Sequence, residues 1–364
     1  MSGLDPLDVG ARVAGLLATG RRVSTYKLAT LSALLQHCLE HPAGPADALT
    51  VPITDLADRV VELYWPQVRP FGDLGPLRQN EQAGRSTRTL LDRVAALRAA
   101  AGAAGLATPA QARAADPAGW ARERREVART LAQQPLFALQ RTGNGDRARP
   151  FLYDDGWLSK KVTTRDLDAH GWSVELLPGV AHALARVSGL LQPVVQRWWV
   201  TDVQRMNRAE LAAPDVEAFL FGADRIDLGP VRAGLRDLQS GRCFYCGTGL
   251  GEETHVDHVL PWSRTGIDGL ANLVLADPRC NGDKSATLPA VHHVTAALHR
   301  PPGDLAALAA PLRWPLERER VLGAARTLYR TSPPGTPLWR ARGAYDLLDP
   351  TAVPGWAGAP TVGR

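Results

Sequence analysis

The chain has no long hydrophobic run and no basic leader. No uncharged stretch reaches the roughly 18–20 apolar residues that a membrane span requires. The opening MSGLDPLDVG carries two aspartates where a secretory leader would carry Lys or Arg. No membrane partner is therefore expected, and the cytoplasm is the expected location. Cysteine is scarce: four in 364 residues exclude a disulfide framework. Lysine is as scarce, with Lys27, Lys160, Lys161 and Lys284 the complete set. No internal repeat or heptad run is present, which excludes a solenoid or a long coiled coil.

What is present is the composition of a soluble globular protein, 45% hydrophobic and 22% charged. A chain of this length is expected to form two or three domains. The net charge of +5 is modest but unevenly spread. From Arg78 to Arg149 there are 13 Arg against 6 Asp or Glu, whereas residues 1–77 hold 6 basic and 8 acidic groups. That asymmetry has two readings, a footprint for phosphate backbone or the arginine-rich composition of a GC-rich genome.

The first region, 1–133, is helical by pattern and is expected to serve recognition or partner binding. STYKLATLSALLQHCLEH places Leu28, Leu31, Leu34 and Leu35 on one stripe behind Ser24. DLADRVVELYW follows Thr54, and RTLLDRVAALRAAAG follows Ser86 or Thr87. WARERREVARTLAQQP is one more helix with a charged face. Cys38, Trp65, Trp198 and Trp199 sit in apolar patterns and are expected in the core. In a second region, 134–240, LFALQ and FLYDD flank RTGNGDRARP, which predicts a hairpin with a basic loop. A long helix follows, broken or kinked at Pro193, and DLGPVRAGLRDLQSG leads to Cys243. A third region, 241–290, carries the chemistry. The last, 291–364, reads as short helices.

The third region contains CFYCG and then HVDHVLPWSRTGIDGLANLVLADPRCNGDKS. Val256 to Leu260 is a short apolar strand interrupted by Asp257 and His258. SRTGIDG is turn material, NLVLA is a second strand, and Asp277 followed by Pro278 is a good start for a short helix. Strand, loop, strand, helix would bring Asp257 and Asn281 together as hard oxygen ligands for a divalent cation. The adjacent His258 can take a proton from water near neutral pH. Those groups suffice for metal-assisted phosphodiester hydrolysis.

From Cys243 to about Ser285 the sequence resembles the HNH endonucleases, the ββα-metal nuclease fold. The resemblance rests on the Asp–His pair, Asn272 fourteen residues after His258, and Asn281 nine further on. It implies that His258 is the general base, that Asp257 and Asn281 hold Mg²⁺ or Mn²⁺, and that Asn272 braces the loop and orients the base. It also implies a nucleic-acid substrate, double-stranded DNA, and a setting in bacterial restriction or phage defence; the helical N-terminal region would then supply target recognition or a protein-partner contact. The expected class is α+β, a mostly helical chain carrying an HNH module in its C-terminal half. Many members of that family hold a structural zinc on two Cys-x-x-Cys pairs. Here Cys243 and Cys246 form the first pair, but the second reads Asp277-Pro278-Arg279-Cys280. Three thiolates leave a fourth position for Asp277 or His293, with His255 a further choice; capping a helix is an equal reason for Asp277. Lys284 and Arg264 either neutralise the phosphate or solvate a helix and a loop. A zinc-knuckle binding protein without catalysis, or a nuclease triggered by a partner, are the alternatives.

Overall fold

In the computed structural model the described residues are 4–19, 22–81, 89–141, 150–207, 211–222 and 226–357. They divide into two compact units, one of residues 1–38 and 43–226, the other of residues 39–42 and 227–364. More than half the chain is helical and the strands pair only in small separate sheets, so the class is α+β.

The first unit contains α1 (Pro6–Thr19), α2 (Tyr26–Glu40), β1 (Leu49–Pro52), α3 (Ile53–Tyr64), α4 (Leu90–Ala103), α5 (Pro109–Ala115), α6 (Pro117–Leu131), α7 (Thr164–Ala169), β2 (Ser173–Leu176), α8 (Val180–Asn207) and α9 (Ala213–Phe221). The leucine stripe of α2 is core, with Leu28 and Leu34 fully buried. Trp199 and Tyr64 are buried beside it and meet edge to face. Trp199 Nε1 donates to Gln79 Oε1, whose amide donates on to Gln67, so the indole's polar edge is satisfied inside the core.

Three expectations need correction here. LFALQ is not a strand: α6 runs on through a wide turn at Ala132–Leu136 into further helix. FLYDD forms only an isolated bridge from Tyr153 to Leu176. Most of the basic loop expected between them lies outside the described residues, as do Ser86 and Thr87. The cap of α4 is Thr89, in a reciprocal capping box with Asp92. Finally, of the break or kink expected at Pro193, the break does not occur, and α8 runs on through it. Pro193 and Gly189 are both exposed, so water can satisfy the carbonyl four residues back that loses its amide partner.

The second unit contains α10 (Gly229–Leu238), β3 (His255–His258), α11 (Trp262–Thr265), β4 (Leu273–Ala276), α12 (Pro278–Lys284), α13 (Val291–Leu298), α14 (Pro302–Leu312), α15 (Arg318–Thr331), β5 (Pro337–Ala341) and β6 (Ala344–Leu347). The hairpin of β5 and β6 interrupts what sequence patterning gave as short helices alone. Its inward residue Trp339 is fully buried. The indole of Trp339 donates to Asp283 on α12 at 2.7 Å, and its backbone bonds Leu288 and Ala290. The hairpin thus packs on the ββα segment.

Candidate active site and metal cluster

β3 and β4 pair antiparallel, with Asp257 opposite Val274 and His258 opposite Leu273. β4 is buried along its whole length, which explains its unbroken apolar sequence. Gln239, just past α10, bonds both the amide and the carbonyl of Leu275, supplying partners for one edge of β4. Asn272 is fully buried between the strands. Its Oδ1 accepts from the Leu260 amide at 2.8 Å, and its Nδ2 donates to the Leu260 and Ile267 carbonyls at 2.9 and 3.1 Å. All three bonds reach backbone. Asn272 therefore braces the loop, while the imidazole of His258 meets a different residue.

That residue is Asp268, whose Oδ1 lies 2.7 Å from His258 Nε2. The neighbouring Asp257 faces Tyr245 and Lys284 instead. Tyr245 donates its hydroxyl to Asp257 Oδ2 at 2.5 Å, and Lys284 Nζ lies 2.9 Å from the same oxygen. Burial, reinforced by the Asp257 carboxylate, raises the Tyr245 phenol well above its ordinary range, so it stays a donor. Asn281, on α12, has Nδ2 2.9 Å from His255 Nδ1. The α12 helix packs on β3, so the carboxamide and the Asp257 carboxylate belong to adjoining elements. His255, a further choice from sequence for the fourth zinc ligand, is instead the partner of Asn281 and is not part of the cysteine cluster; the two-residue spacing from Asp257 along a strand was the available signal.

Lys284 stands differently from either sequence reading. It is fully buried, pairs with Asp257 and donates to the His258 carbonyl at 2.8 Å. It thus ties two consecutive β3 residues to α12 and presents no charge to solvent. Arg264 is half-buried, with its Nε donating to the Ala286 carbonyl at 3.3 Å.

Cys243, Cys246, Asp277 and Cys280 bring three sulfurs and a carboxylate oxygen to within 4.8 Å of one another. Tetrahedral zinc with bonds of about 2.3 Å sets its thiolates about 3.8 Å apart, so closing on an ion needs a shift of at most about 1 Å. The donor set fits a soft dication. Asp277 does two things at once. Oδ1 accepts from the Arg279 and Cys280 amides at 3.0 Å each, capping α12, while Oδ2 lies 3.3 Å from Cys246 Sγ. Burial opposes ionisation throughout the cluster. It prevails at Cys243 and Cys280, whose thiols are pushed up. At Cys246 the Thr248 hydroxyl and amide outweigh it, and at Asp277 bonds from Cys280, Cys243 and Cys246 hold the carboxyl far down. His293 is elsewhere: it is buried, bonds the Arg340 carbonyl through Nε2 at 2.8 Å and packs beside Trp339. Among the described residues no other such cluster occurs.

Sequence comparison agrees with this division. The family described as Domain of unknown function (DUF8808) matches residues 6–220, more than half the chain, and the chain belongs to that family. The HNH endonuclease family matches residues 243–290, so the ββα segment is an HNH endonuclease module. An HNH module supports a nuclease-type function and implies nucleic-acid binding. Neither curated proteins nor solved structures gave a match. No helix is long and apolar enough to cross a membrane.

Proposed function

We propose that the protein is a metal-dependent endonuclease that hydrolyses phosphodiester bonds in double-stranded DNA. The observation that carries this reading is the intact set Asp257, His258 and Asn281 on β3 and α12 of an HNH module. Asp257 and Asn281 would hold Mg²⁺ or Mn²⁺, since both offer hard oxygen. Such an ion supplies Lewis-acid stabilisation of charge on the phosphate and the leaving oxygen. His258 takes a proton from the attacking water, whose oxygen bonds to phosphorus as the P–O3′ bond breaks. The products are a 5′-phosphate and a 3′-hydroxyl, the latter reprotonated from solvent. Lys284 and Tyr245 orient Asp257 through Oδ2. Asn272 holds the loop that follows β3 in place.

In the same reading the Cys243, Cys246, Cys280 and Asp277 cluster holds one structural zinc. It joins the turn before β3 to the start of α12, and thiolates favour zinc over magnesium. A module of this size has little core of its own, so the cross-link adds stability.

The test is plasmid incubated with the full chain, with and without Mg²⁺ or Mn²⁺, followed by analysis of the product ends. Wild type is expected to cut only with metal. His258→Ala is expected to bind DNA as wild type does and to cut about 10²–10⁴-fold more slowly. Wild type that binds DNA but never cuts it would leave a binding module.

A further inference from the structure

We infer that Asp268 is a positioning residue for His258, fixing the imidazole with its proton on Nε2 and Nδ1 as the acceptor. This rests on the reading of His258 as the base. No feature of the Asp–His and Asn spacing points to Asp268; it lies in the turn-rich SRTGIDG stretch, ten residues after His258. The structure nevertheless gives it the one side-chain bond to the imidazole among the described residues, 2.7 Å from Oδ1 to Nε2. The His258 side chain is 11% exposed and that of Asp268 25%, so the bond is shielded on the histidine side.

The loop is built to hold Asp268 there. Its carbonyl accepts from Trp314 Nε1 at 3.0 Å. The Leu270 and Ala271 amides donate to the Pro315 and Leu316 carbonyls at 2.8 and 3.0 Å. Between them, a Cβ on Gly269 would lie 2.8 Å from the Leu316 carbonyl, so glycine permits the two backbones to approach. On the other side the Asn272 amide holds the Ile267 carbonyl. Asp268 is therefore pinned before and after by groups that do not touch the imidazole. A carboxylate accepts and cannot donate, so it selects the Nε2–H tautomer of a neutral imidazole. That leaves the Nδ1 lone pair to receive a proton from water. An aspartate orients the histidine of hydrolytic triads through the same kind of contact.

The experiment begins with wild type. Long-range ¹⁵N NMR on full-length protein labelled at histidine, at alkaline pH, should show His258 as the Nε2–H tautomer. The resonance is assigned by its loss in His258→Gln. An Nδ1–H form, or an exchange average of both, would overturn the inference. In Asp268→Ala the tautomer signal should move to an average, and kcat should fall about 10–100-fold, the usual scale for a group that orients another. KM for DNA should stay within about threefold, as expected for a group acting only on the chemical step. Asp268→Glu should restore the tautomer and part of the rate. Loss of activity with the tautomer unchanged would mean a structural role only, and also overturns the inference. If His258→Ala cuts like wild type, the base assignment fails, and the wild-type tautomer still decides whether Asp268 fixes the ring.

Discussion

Lys284 has a side chain 1% exposed, and its ammonium rests between the Asp257 carboxylate and the His258 carbonyl. A buried cation of this kind depends on its partner, which bears directly on how Asp257 is to be probed. Asp257→Ala should lose cleavage and also destabilise the second unit by about 3–5 kcal/mol, because the charge of Lys284 is left uncompensated. Adding Lys284→Met removes that charge, so the double variant should regain most of the stability yet none of the cleavage. Thermal unfolding and plasmid cleavage on the three proteins separate the two effects. Asp257→Ala as stable as wild type would remove the ion pair from the account, and a double variant that cuts would remove Asp257 from the metal site. Sequence alone could not place this lysine. Lysine is almost never fully buried unless paired, and its pairing here follows from α12 packing over β3, a relation between residues twenty-seven positions apart.

At the scale of the element, α12 was the most legible part of the chain. Asp277 caps it, Pro278 occupies its first turn and Lys284 closes it, as the residue types predict. The strands β3 and β4 were legible for the same reason, a short apolar run bounded by turn residues. What spacing left open was whether Asp277 caps the helix or meets the cysteines, and the two carboxylate oxygens do one each. The variants separate these tasks. Asp277→Ser keeps a capping oxygen and should hold α12, whereas Asp277→Ala should cost about 1 kcal/mol more through the lost cap. Both should bind zinc more weakly than wild type, and to a similar degree, since neither keeps a carboxylate facing Cys246. His293→Ala should hold zinc as wild type does, because that imidazole is engaged by the Arg340 carbonyl. Elemental analysis of the purified variants checks this. Full zinc in Asp277→Ala with loss in His293→Ala would reverse the assignment. The hairpin of β5 and β6 was not legible, because its strands are short and the inward face of Trp339 is set by a bond to Asp283, 56 residues earlier.

Over the whole molecule, the charge reading also changes once side-chain partners are known. On α6, Arg124 is engaged by Asp58 and Arg129 by Glu126, and Arg125 lies over Trp172. Several arginines of the segment from Arg78 to Arg149 thus already have partners within the chain, a distinction that composition cannot make, although of these partners only Asp58 is an acid from outside the segment. The converse holds for the nuclease module, which looks self-contained in sequence yet is held by residues well beyond it. Arg300 donates to the Ala271 and Leu273 carbonyls at 2.7 Å each and to that of Leu270 at 3.2 Å. Burial lowers its pKa to about 10, which still leaves it charged at neutral pH. Trp314 to Leu316 secure the loop of Asp268, and Trp339 covers Cys243 and Cys280. A chain ending at Leu298 keeps every residue of the HNH match and the complete Cys243, Cys246, Asp277 and Cys280 set. It should nevertheless cut DNA at least about 10²-fold more slowly, since a misplaced base or phosphate forfeits the gain from fixed geometry. It should also be cut by protease within residues 243–290, where the full chain resists. Arg300→Ala, which takes a donor from the Ala271 and Leu273 carbonyls and leaves that of Leu270 with the Leu273 amide, should fall between the two and lose about 1–3 kcal/mol of stability. Limited proteolysis, thermal unfolding and plasmid cleavage run side by side test the series. A chain ending at Leu298 that resists protease and cuts at the wild-type rate would show the module to be self-sufficient, and the contacts from Arg300, Trp314 and Trp339 to be incidental to it.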